Sequence, residues 1–221
     1  MTEKQRASEL VNCLEQQYPV LEHCLNYNKR NAWQLVVAVR LSAQCTDARV
    51  NMVTPSLFER YPSPEALACA DADDIEEMIR SCGLGKSKAR DIKGSMKAIA
   101  YEHDGCVPDT MQKLLSLPGV GRKSANLILG DVFGQPAVVC DTHCIRICNR
   151  MGLIDTKDPA GAEKRLRDLL PPERSNDFCH RLVVHGRIVC TARKAHCEKC
   201  LAISFCRQRL VQDGNRVKMD E

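Results

Sequence analysis

The chain has 221 residues, enough for one large domain or two small ones with a real hydrophobic core. A net charge of +4 and a pI of about 8.4 make it mildly basic, which permits a local nucleic-acid-binding patch but is weak evidence for one. The N-terminus MTEKQRASEL lacks the apolar core of an export signal, and no apolar run is long enough to cross a bilayer, so we expect a cytoplasmic protein without a membrane partner.

Fourteen cysteines would indicate a disulfide framework in a short secreted chain. Without an export signal, and in a chain long enough to build a core, reduced thiols or metal ligands are the better interpretation. Most of the cysteines lie inside helical patterns, where free cysteine usually acts as a small buried apolar side chain. We therefore expect burial of these residues, for example Cys13, Cys69, Cys82, Cys148 and Cys179.

The first part of the chain has the pattern of short helices. Asn31 is placed to cap the segment AWQLVVAVRLSAQ. This segment is long and lacks strict alternation, so we predict a buried central helix and not a strand. Ser63 and Pro64 supply the cap and the first-turn proline of the following helix.

The helical pattern continues towards the middle of the chain. Asp73 or Asp74 would begin the segment IEEMIRSC, which Gly83 ends. Ser87 is placed to open KARDIKGSMKAIAYEH, and Asp109 to cap TMQKLLSL. No tight turn is flanked by alternating segments of the kind that form a β-hairpin, so the predicted fold class is all-α.

The segment LPGVGRKSANLILG joins two helical patterns through a glycine-rich turn. Glycine permits positive φ angles and the close approach of another backbone. The amides of Val120, Gly121 and Arg122 would be free at the start of the second helix, where partial positive charge favours an anion. With Gly119, these residues resemble the helix-hairpin-helix motif, whose backbone donors bind a nucleic-acid phosphate. The alternative is an ordinary turn between two helices.

Lys123 falls in the first turn of this second helix, where the helix dipole disfavours a cation. A nucleophilic amine must be neutral, and both the helix N-terminus and the neighbouring Arg122 favour the neutral form. We therefore hypothesise that Lys123 is an amine nucleophile. The alternative is a lysine that contacts a phosphate.

Asp141 follows an apolar segment and precedes the helical pattern THCIRICNR, so its default role is to cap that helix. A capping aspartate at the mouth of a cleft can also stabilise cationic charge that develops on a sugar, or relay a proton. Both roles stay open for Asp141, whereas the neighbouring His143 is interpreted as structural.

Four cysteines fall within the segment CTARKAHCEKCLAISFC, with six, two and five residues between successive members: Cys190, Cys197, Cys200 and Cys206. Four thiolates in one loop can bind a single metal centre. Zinc sites usually contain two closely spaced pairs, and only Cys197 and Cys200 are close, so the spacing favours a cubane iron–sulfur cluster. In the zinc alternative, His185 and His196 are further candidate ligands.

The region of these cysteines is also rich in basic residues, namely Arg187, Arg193, Lys194, Lys199, Arg207 and Arg209. Glu198 is the one acid among them. A loop that is closed by a metal and carries this charge would suit a phosphate backbone. The alternative is a solvated surface loop. The tail DGNRVKMDE is expected to fray.

In their order and spacing, these features resemble the endonuclease III family, iron–sulfur DNA glycosylases that are also apurinic/apyrimidinic lyases. The hairpin, Lys123, the aspartate of the DTH segment and the four-cysteine loop carry the resemblance. The segments LSAQCTD at 41–47 and GLGKSKA at 83–89 resemble two further segments of the family. The second departs from the family pattern, since Gly85 stands where the family often has an aromatic residue. The resemblance covers nearly the whole chain.

The resemblance implies that Lys123 is the Schiff-base nucleophile and Asp141 the catalytic carboxylate. Gln44 would enter the gap left by an extruded nucleotide, and Leu84 would wedge between bases opposite it. The four cysteines would ligate a [4Fe-4S] cluster. The substrate would be double-stranded DNA with oxidised pyrimidines or abasic sites, bound by a monomer in the cytoplasm, at the nucleoid.

Family architecture implies a helix-hairpin-helix glycosylase fold, with two helical domains and a DNA cleft between them. The first would be a six-helix domain at 25–135 that contains the hairpin. The second would be discontinuous, 1–24 plus 136–221, with the iron–sulfur loop at 186–207.

Two alternative functions are kept. A glycosylase of the same superfamily could act on purine lesions, although the adenine glycosylases lack the lysine at the position of Lys123 and the 8-oxoguanine relatives usually lack the four-cysteine loop. A non-catalytic DNA-binding module would use the hairpin only to bind phosphate.

Overall fold

The computed structural model describes residues 1–21 and 23–208. Apart from one isolated antiparallel bridge between Cys190 and Ala195, the regular structure in these ranges is helical, which confirms the predicted all-α class. Arg209 and the tail DGNRVKMDE lie outside the described residues. The α-helices in chain order are α1 (Glu3–Gln17), α2 (Trp33–Ser42), α3 (Asp47–Arg60), α4 (Pro64–Cys69), α5 (Ala72–Ile79), α6 (Gly85–Glu102), α7 (Met111–Leu115), α8 (Arg122–Phe133), α9 (Thr142–Met151), α10 (Pro159–Leu169) and α11 (Ser175–Ile188).

The chain forms two compact units. One takes its described residues from Met1–Glu22 and Gln135–Glu221, and holds α1 together with α9, α10 and α11. The other is His23–Gly134, which holds α2 to α8. That these units are the two domains inferred from the sequence stays a prediction.

Helix α2 is buried at the centre of the His23–Gly134 unit, as its apolar sequence predicts. Successive side chains around the helix are buried, including Leu35, Val36, Val37 and Leu41, and α2 packs against α3, α6 and α8. A helix that is apolar on all sides has to be covered by its neighbours. Burial of each aliphatic side chain of this size contributes about 1.5–3 kcal/mol, so α2 anchors the unit.

Of the predicted helix starts, the one at Ser63 is confirmed. The Ser63 Oγ accepts a hydrogen bond from the amide of Ala66 at 3.2 Å, and Pro64 is the first residue of α4. The prediction that Asn31 caps α2 is wrong, because α2 begins at Trp33 after Ala32, which makes no side-chain cap.

Three further predicted starts are wrong by a few residues. Asp71, and not Asp73 or Asp74, caps α5 by accepting from the amide of Asp73 at 2.9 Å. Thr110 caps α7 in place of its neighbour Asp109. Helix α6 begins two residues before Ser87, at Gly85. Adjacent Asp, Thr and Ser residues are all good caps, so the sequence alone does not choose among them.

In the other unit, Arg174 ties the N-terminal helix to the C-terminal part of the chain. Its guanidinium donates to both carboxylate oxygens of Glu15, at 2.9 and 2.5 Å, and to Oδ1 of Asn12 at 2.8 Å. Both acceptors are on α1, which packs against α10 and α11. A bidentate arginine–carboxylate pair fixes direction as well as distance, so these bonds set the register of α1.

The cysteines outside the four-cysteine loop mostly follow the expected burial. Cys82, Cys148 and Cys179 are buried, and Cys13 is half-buried. The prediction is wrong for Cys69, which is exposed at the end of α4 and lies 3.6 Å from the Tyr101 hydroxyl. None of the described helices combines the length and the apolar character that a membrane crossing requires.

Candidate active site and candidate metal centre

The turn between α7 and α8 requires glycine at position 119. Gly119 has a φ of +75°, a backbone conformation that other residues adopt at a cost. A Cβ at this position would lie 2.6 Å from Cδ of Arg40 and 2.9 Å from Cβ of Asp91. Gly121 differs, since its φ is −94° and a Cβ there would meet open space. The structure therefore explains Gly119 by conformation and contact, but it does not explain Gly121 in this way.

Side chains of α2 and α6 hold this turn in place. Ser95 Oγ donates to the carbonyl of Pro118 at 2.5 Å. Arg40, which packs against Gly119, donates to Oδ2 of Asp91 through Nε at 2.9 Å and Nη2 at 2.7 Å. Because both residues of this pair are largely buried, the pair restricts the position of the turn.

The prediction of free amides at the hairpin is wrong for Val120. Its N–H donates to the carbonyl of Leu117 at 3.1 Å, and its side chain is buried in the core. The first bond within α8 runs from the Ala125 amide to the Gly121 carbonyl at 2.9 Å. The amides of 121–124 therefore precede the first such bond and lie at the positive end of the helix dipole.

Lys123 lies on the exposed first turn of α8, beside the exposed Arg122. This turn contains no acidic residue. Amides at a helix N-terminus and two adjacent cationic side chains make this helix end suitable for an anion such as a phosphate.

Gln44 and Leu84 lie in two turns that share an unusual conformation. Both have left-handed backbones, with φ of 55° for Gln44 and 53° for Leu84, and both are exposed, Leu84 by 56%. A non-glycine residue in this region costs about 1–3 kcal/mol and is common at ligand-binding sites. Nothing in the residue types predicts this conformation, which leucine in particular rarely adopts.

Asp141 caps α9, which confirms the first of the two roles kept for it. Its Oδ1 accepts a hydrogen bond from the amide of Cys144 at 2.7 Å, and its side chain is half-buried. The cap uses one carboxylate oxygen and fixes the direction of the other. Asp141 belongs to the unit of α9 to α11, whereas Lys123 belongs to the His23–Gly134 unit.

Arg146 of α9 fixes this helix against the segment that contains the first cysteine of the loop. Its Nη2 donates to the carbonyls of Gly186 at 3.1 Å and Cys190 at 2.9 Å, and lies 3.2 Å from Nδ1 of His143. Burial is the largest of the effects that lower the pKa of His143. These contacts fit the structural role expected for His143.

The four cysteines of the C-terminal loop line one cavity. Cys190, Cys197, Cys200 and Cys206 share it with apolar side chains from α1 and α9, among them Leu10. The predicted set is therefore brought together by the fold. As free thiols, Cys200 and Cys206 resist ionisation, because burial raises the pKa of Cys200 to about 12 and that of Cys206 to about 11.

Cationic and N–H groups around the cavity suit thiolate ligands. Nη1 of Arg150 donates to Sγ of Cys190 at 3.3 Å, and the Gln208 amide donates to Sγ of Cys206 at 3.4 Å. Buried Nε atoms of Arg146 and Arg150 have no hydrogen-bond partner among the described residues. Buried positive charge of this kind is costly unless a negative group accompanies it. A cluster with four thiolate ligands supplies such a group, so the residues present fit one.

His185 and His196, the candidate ligands in the zinc alternative, have other partners in the structure. Nδ1 of His185 lies 3.1 Å from the Tyr18 hydroxyl, and its Nε2 lies 3.7 Å from Sγ of Cys200. Burial lowers the pKa of His185 to about 4. Nδ1 of His196 lies 3.3 Å from Oε1 of Glu198. His185 therefore fits best as a buried neighbour of the cysteine cavity.

The basic residues of this region that the structure describes are all exposed: Arg187, Arg193, Lys194, Lys199 and Arg207. Exposure agrees with both alternatives, a solvated loop and a loop that faces a phosphate backbone. The sixth residue of the set, Arg209, is outside the described part of the chain.

Comparison with known proteins identifies relatives over most of the chain. Residues 37–172 match the family described as "HhH-GPD superfamily base excision DNA repair protein". The chain is 45% identical to endonuclease III of Synechocystis, over 93% of each chain. It is 35% identical to endonuclease III of Escherichia coli K12, over 92% of this chain and 95% of that relative.

Solved structures of similar proteins include DNA complexes. The structure described as "Structure of a non-covalent Endonuclease III-DNA Complex" matches with a TM-score of 0.87 at 36% identity, over 94% of this chain and 97% of that chain. The same values hold for "Structure of a Trapped Endonuclease III-DNA Covalent Intermediate: Estranged-Adenine Complex". A thermostable thymine-DNA glycosylase, 21% identical with a TM-score of 0.81, covers 91% of this chain and 95% of its own and shares the fold.

Proposed function

This chain belongs to the endonuclease III family, within the HhH-GPD superfamily of base excision DNA repair proteins, and from that premise we propose how its residues act on DNA. The chain is a base excision repair enzyme, a DNA glycosylase that is also an apurinic/apyrimidinic lyase, and its partner is DNA. Its substrates are oxidised pyrimidines in duplex DNA. One observation carries the assignment of residues: the exposed Lys123 at an amide-rich helix end, behind the turn fixed at Gly119.

In this proposal the hairpin binds the DNA backbone, and Lys123 performs the chemistry. The amides at the start of α8 and the Arg122 side chain bind a phosphate beside the lesion. The sugar of the damaged nucleotide then lies next to the Lys123 amine. Holding two reacting groups together in this way can lower a barrier by up to about 7–11 kcal/mol in well-aligned cases.

The proposed reaction has four steps. The neutral amine of Lys123 attacks C1′ of the sugar, the bond from C1′ to the base breaks, and the base leaves with a proton. The bond from C1′ to the ring oxygen O4′ then breaks, O4′ takes the second amine proton, and a double bond between C1′ and Nζ forms the Schiff base. Removal of a C2′ proton then expels the 3′ phosphate, and water hydrolyses the Schiff base to regenerate the lysine.

Asp141 supplies the carboxylate of this reaction. Its Oδ1 is held by the Cys144 amide, so the side chain has one fixed direction. A fixed carboxylate stabilises positive charge as the base departs and accepts a proton from the attacking amine. The cap seen at α9 and the catalytic role are therefore compatible uses of one side chain.

Gln44 and Leu84 open the duplex. A base inside the helix cannot be reached, so the damaged nucleotide must be flipped into a pocket. Gln44 fills the gap that this nucleotide leaves, and Leu84 wedges between the bases opposite. Their exposure and left-handed backbones support this role, since both side chains project from turns and not from a helix face.

The four cysteines hold a [4Fe-4S] cluster in this proposal. The ligands are Cys190, Cys197, Cys200 and Cys206, and Arg150 supplies a hydrogen bond to the first of them. When bound, the cluster cross-links the loop through iron–thiolate bonds. The exposed basic residues of the loop would then be held towards a phosphate backbone.

Purified protein is expected to be brown, with broad visible absorption and about four irons per chain. Replacement of Cys200 by alanine should lower the iron content several-fold, because a ligand is lost. Cys69→Ser is the matched control, since Cys69 is exposed and outside the loop, and should keep its iron. A colourless protein with stoichiometric zinc would contradict the cluster.

A panel of duplexes tests the activity itself. We expect release of thymine glycol and dihydrouracil, cleavage at a plain abasic site, and little action on 8-oxoguanine. Preference for 8-oxoguanine would favour the alternative of a purine glycosylase. Binding of the abasic duplex without any cleavage would favour the non-catalytic module. The proposal places the enzyme as a monomer in the cytoplasm, at the nucleoid, where its substrate lies.

A further inference from the structure

Lys88, in the first turns of α6, is a fully buried lysine with an exposed fraction of 0%. Lysine is almost never fully buried unless it is paired. Within residues 1–21 and 23–208, no carboxylate forms a salt bridge with Lys88. Its Nζ donates instead to two backbone carbonyls, that of Leu41 at 2.7 Å and that of Cys82 at 2.8 Å.

Both acceptors are carbonyls at the end of a helical segment. Leu41 lies in the last turn of α2, and Cys82 is the last residue of a short 3₁₀ helix, Arg80–Cys82. Carbonyls in the last turn of a helix lack partners inside it, and they attract a cation. One nitrogen therefore caps two segments that are distant in sequence.

The chain continues from each acceptor into one of the two exposed turns. Gln44 follows Leu41 by three residues, and Leu84 follows Cys82 by two. Both residues have left-handed backbones, which persist only where the surrounding structure determines them. Lys88 therefore links the two turns, because its Nζ is hydrogen-bonded to the carbonyl of Leu41, just before the Gln44 turn, and to that of Cys82, just before the Leu84 turn.

We propose that Lys88 is a positioning residue that joins the Gln44 turn to the Leu84 turn, so that both side chains enter damaged DNA in a fixed relation. Lys88 is too deeply buried to touch DNA. It acts through the two turns, and the inference rests on the DNA-inserting roles proposed above for Gln44 and Leu84.

Helix α6 offers a matched control. Nζ of Lys93 donates to the carbonyl of Ala70 at 2.7 Å, and Ala70 follows the end of α4. Lys93 is therefore also a lysine of α6 that caps another helix, but its acceptor does not lead into either turn. Lys93→Met removes the same kind of bond as Lys88→Met.

The experiment compares binding to a duplex with a tetrahydrofuran abasic analogue and binding to the intact duplex. We expect Lys88→Met to lower the preference for the analogue about tenfold or more, as loss of charge-assisted hydrogen bonds permits. Lys93→Met should change the preference for the analogue duplex less than twofold, even if both variants lower the melting temperature equally. In Lys88→Met, the further change Leu84→Ala should have little added effect, because the side chain is already misplaced.

Failure of the Lys88 role and failure of the proposed inserting roles would give different results. If Gln44→Ala and Leu84→Ala leave the preference unchanged, the inserting roles are wrong and the role of Lys88 is wrong with them. If these two variants lower the preference but Lys88→Met behaves like Lys93→Met, only the inference about Lys88 is overturned. Additive effects of Lys88→Met and Leu84→Ala would also overturn it.

A second measurement on the unaltered protein applies if Lys88→Met does not fold. Hydrogen exchange should show the amides around Gln44 and those around Leu84 gaining protection together when the analogue duplex binds. Protection of one turn without the other would contradict a shared anchor at Lys88.

Discussion

Lys123→Gln is expected to abolish strand cleavage at abasic sites and the covalent adduct that borohydride traps on abasic DNA. Glutamine keeps most of the length and the hydrogen-bonding capacity of lysine, but its amide nitrogen is not a nucleophile. Loss of a covalent nucleophile should reduce the rate by at least about a thousandfold. Because the hairpin amides are backbone groups, affinity for the abasic analogue should change far less than the rate.

Lys97→Gln is the matched control for this substitution. Lys97 is an exposed lysine of α6 in the same unit, and it is not part of the proposed site. It should retain cleavage and trapping within about twofold, as surface substitutions usually have small effects. If Lys123→Gln lost affinity and rate in equal proportion, the alternative of a phosphate-contacting lysine would replace the nucleophile.

Asp141→Asn is expected to lower the rate of base release by about a hundredfold to ten-thousandfold, the range of a lost acid–base or charge-stabilising group. Asparagine caps a helix about as well as aspartate does, so the cap on the Cys144 amide should survive. Stability and binding of the abasic analogue should therefore stay close to those of the unaltered protein. The measurement is single-turnover glycosylase kinetics beside a thermal melt.

Asp158 provides the comparison for Asp141. It caps α10 in the same unit, with its Oδ2 accepting from the Gly161 amide at 2.7 Å, and it is exposed. Asp158→Asn should leave both stability and activity nearly unchanged. Full activity in Asp141→Asn would show that the carboxylate acts only as a cap, which is the other role kept for it.

The parts of the site that the sequence predicts well are those that depend on local pattern. The glycine-rich turn before α8 and the four cysteines of one loop are each defined within about twenty residues. Backbone conformation at Gly119 and a shared cavity for the cysteines follow from such spacing. Packing by the rest of the chain refines these features without changing them.

The hairpin amides show where local pattern is insufficient. The sequence pattern treats Val120 as one of three residues with a free N–H, but its apolar side chain is drawn into the core. In that position its amide bonds the carbonyl of Leu117. The amides at the start of α8 consequently begin at Gly121 and extend to Ser124. Burial of the Val120 side chain therefore determines the hydrogen-bond partner of the Val120 amide.

Tertiary structure alone accounts for Gln44, Leu84 and Lys88. The left-handed conformations of the first two are unfavourable for their residue types, so no propensity predicts them. Lys88 falls within a helical segment rich in charged residues, and nothing in that segment predicts its burial. Its burial becomes understandable only when the carbonyls of Leu41 and Cys82 lie within reach of its amine.

The most direct measurement maps the covalent adduct. After the enzyme is incubated with an abasic duplex and borohydride, proteolysis and mass spectrometry should locate the sugar remnant on Nζ of Lys123. A remnant on another lysine or on the N-terminal amine, with Lys123 unmodified, would contradict the mechanism proposed for this chain.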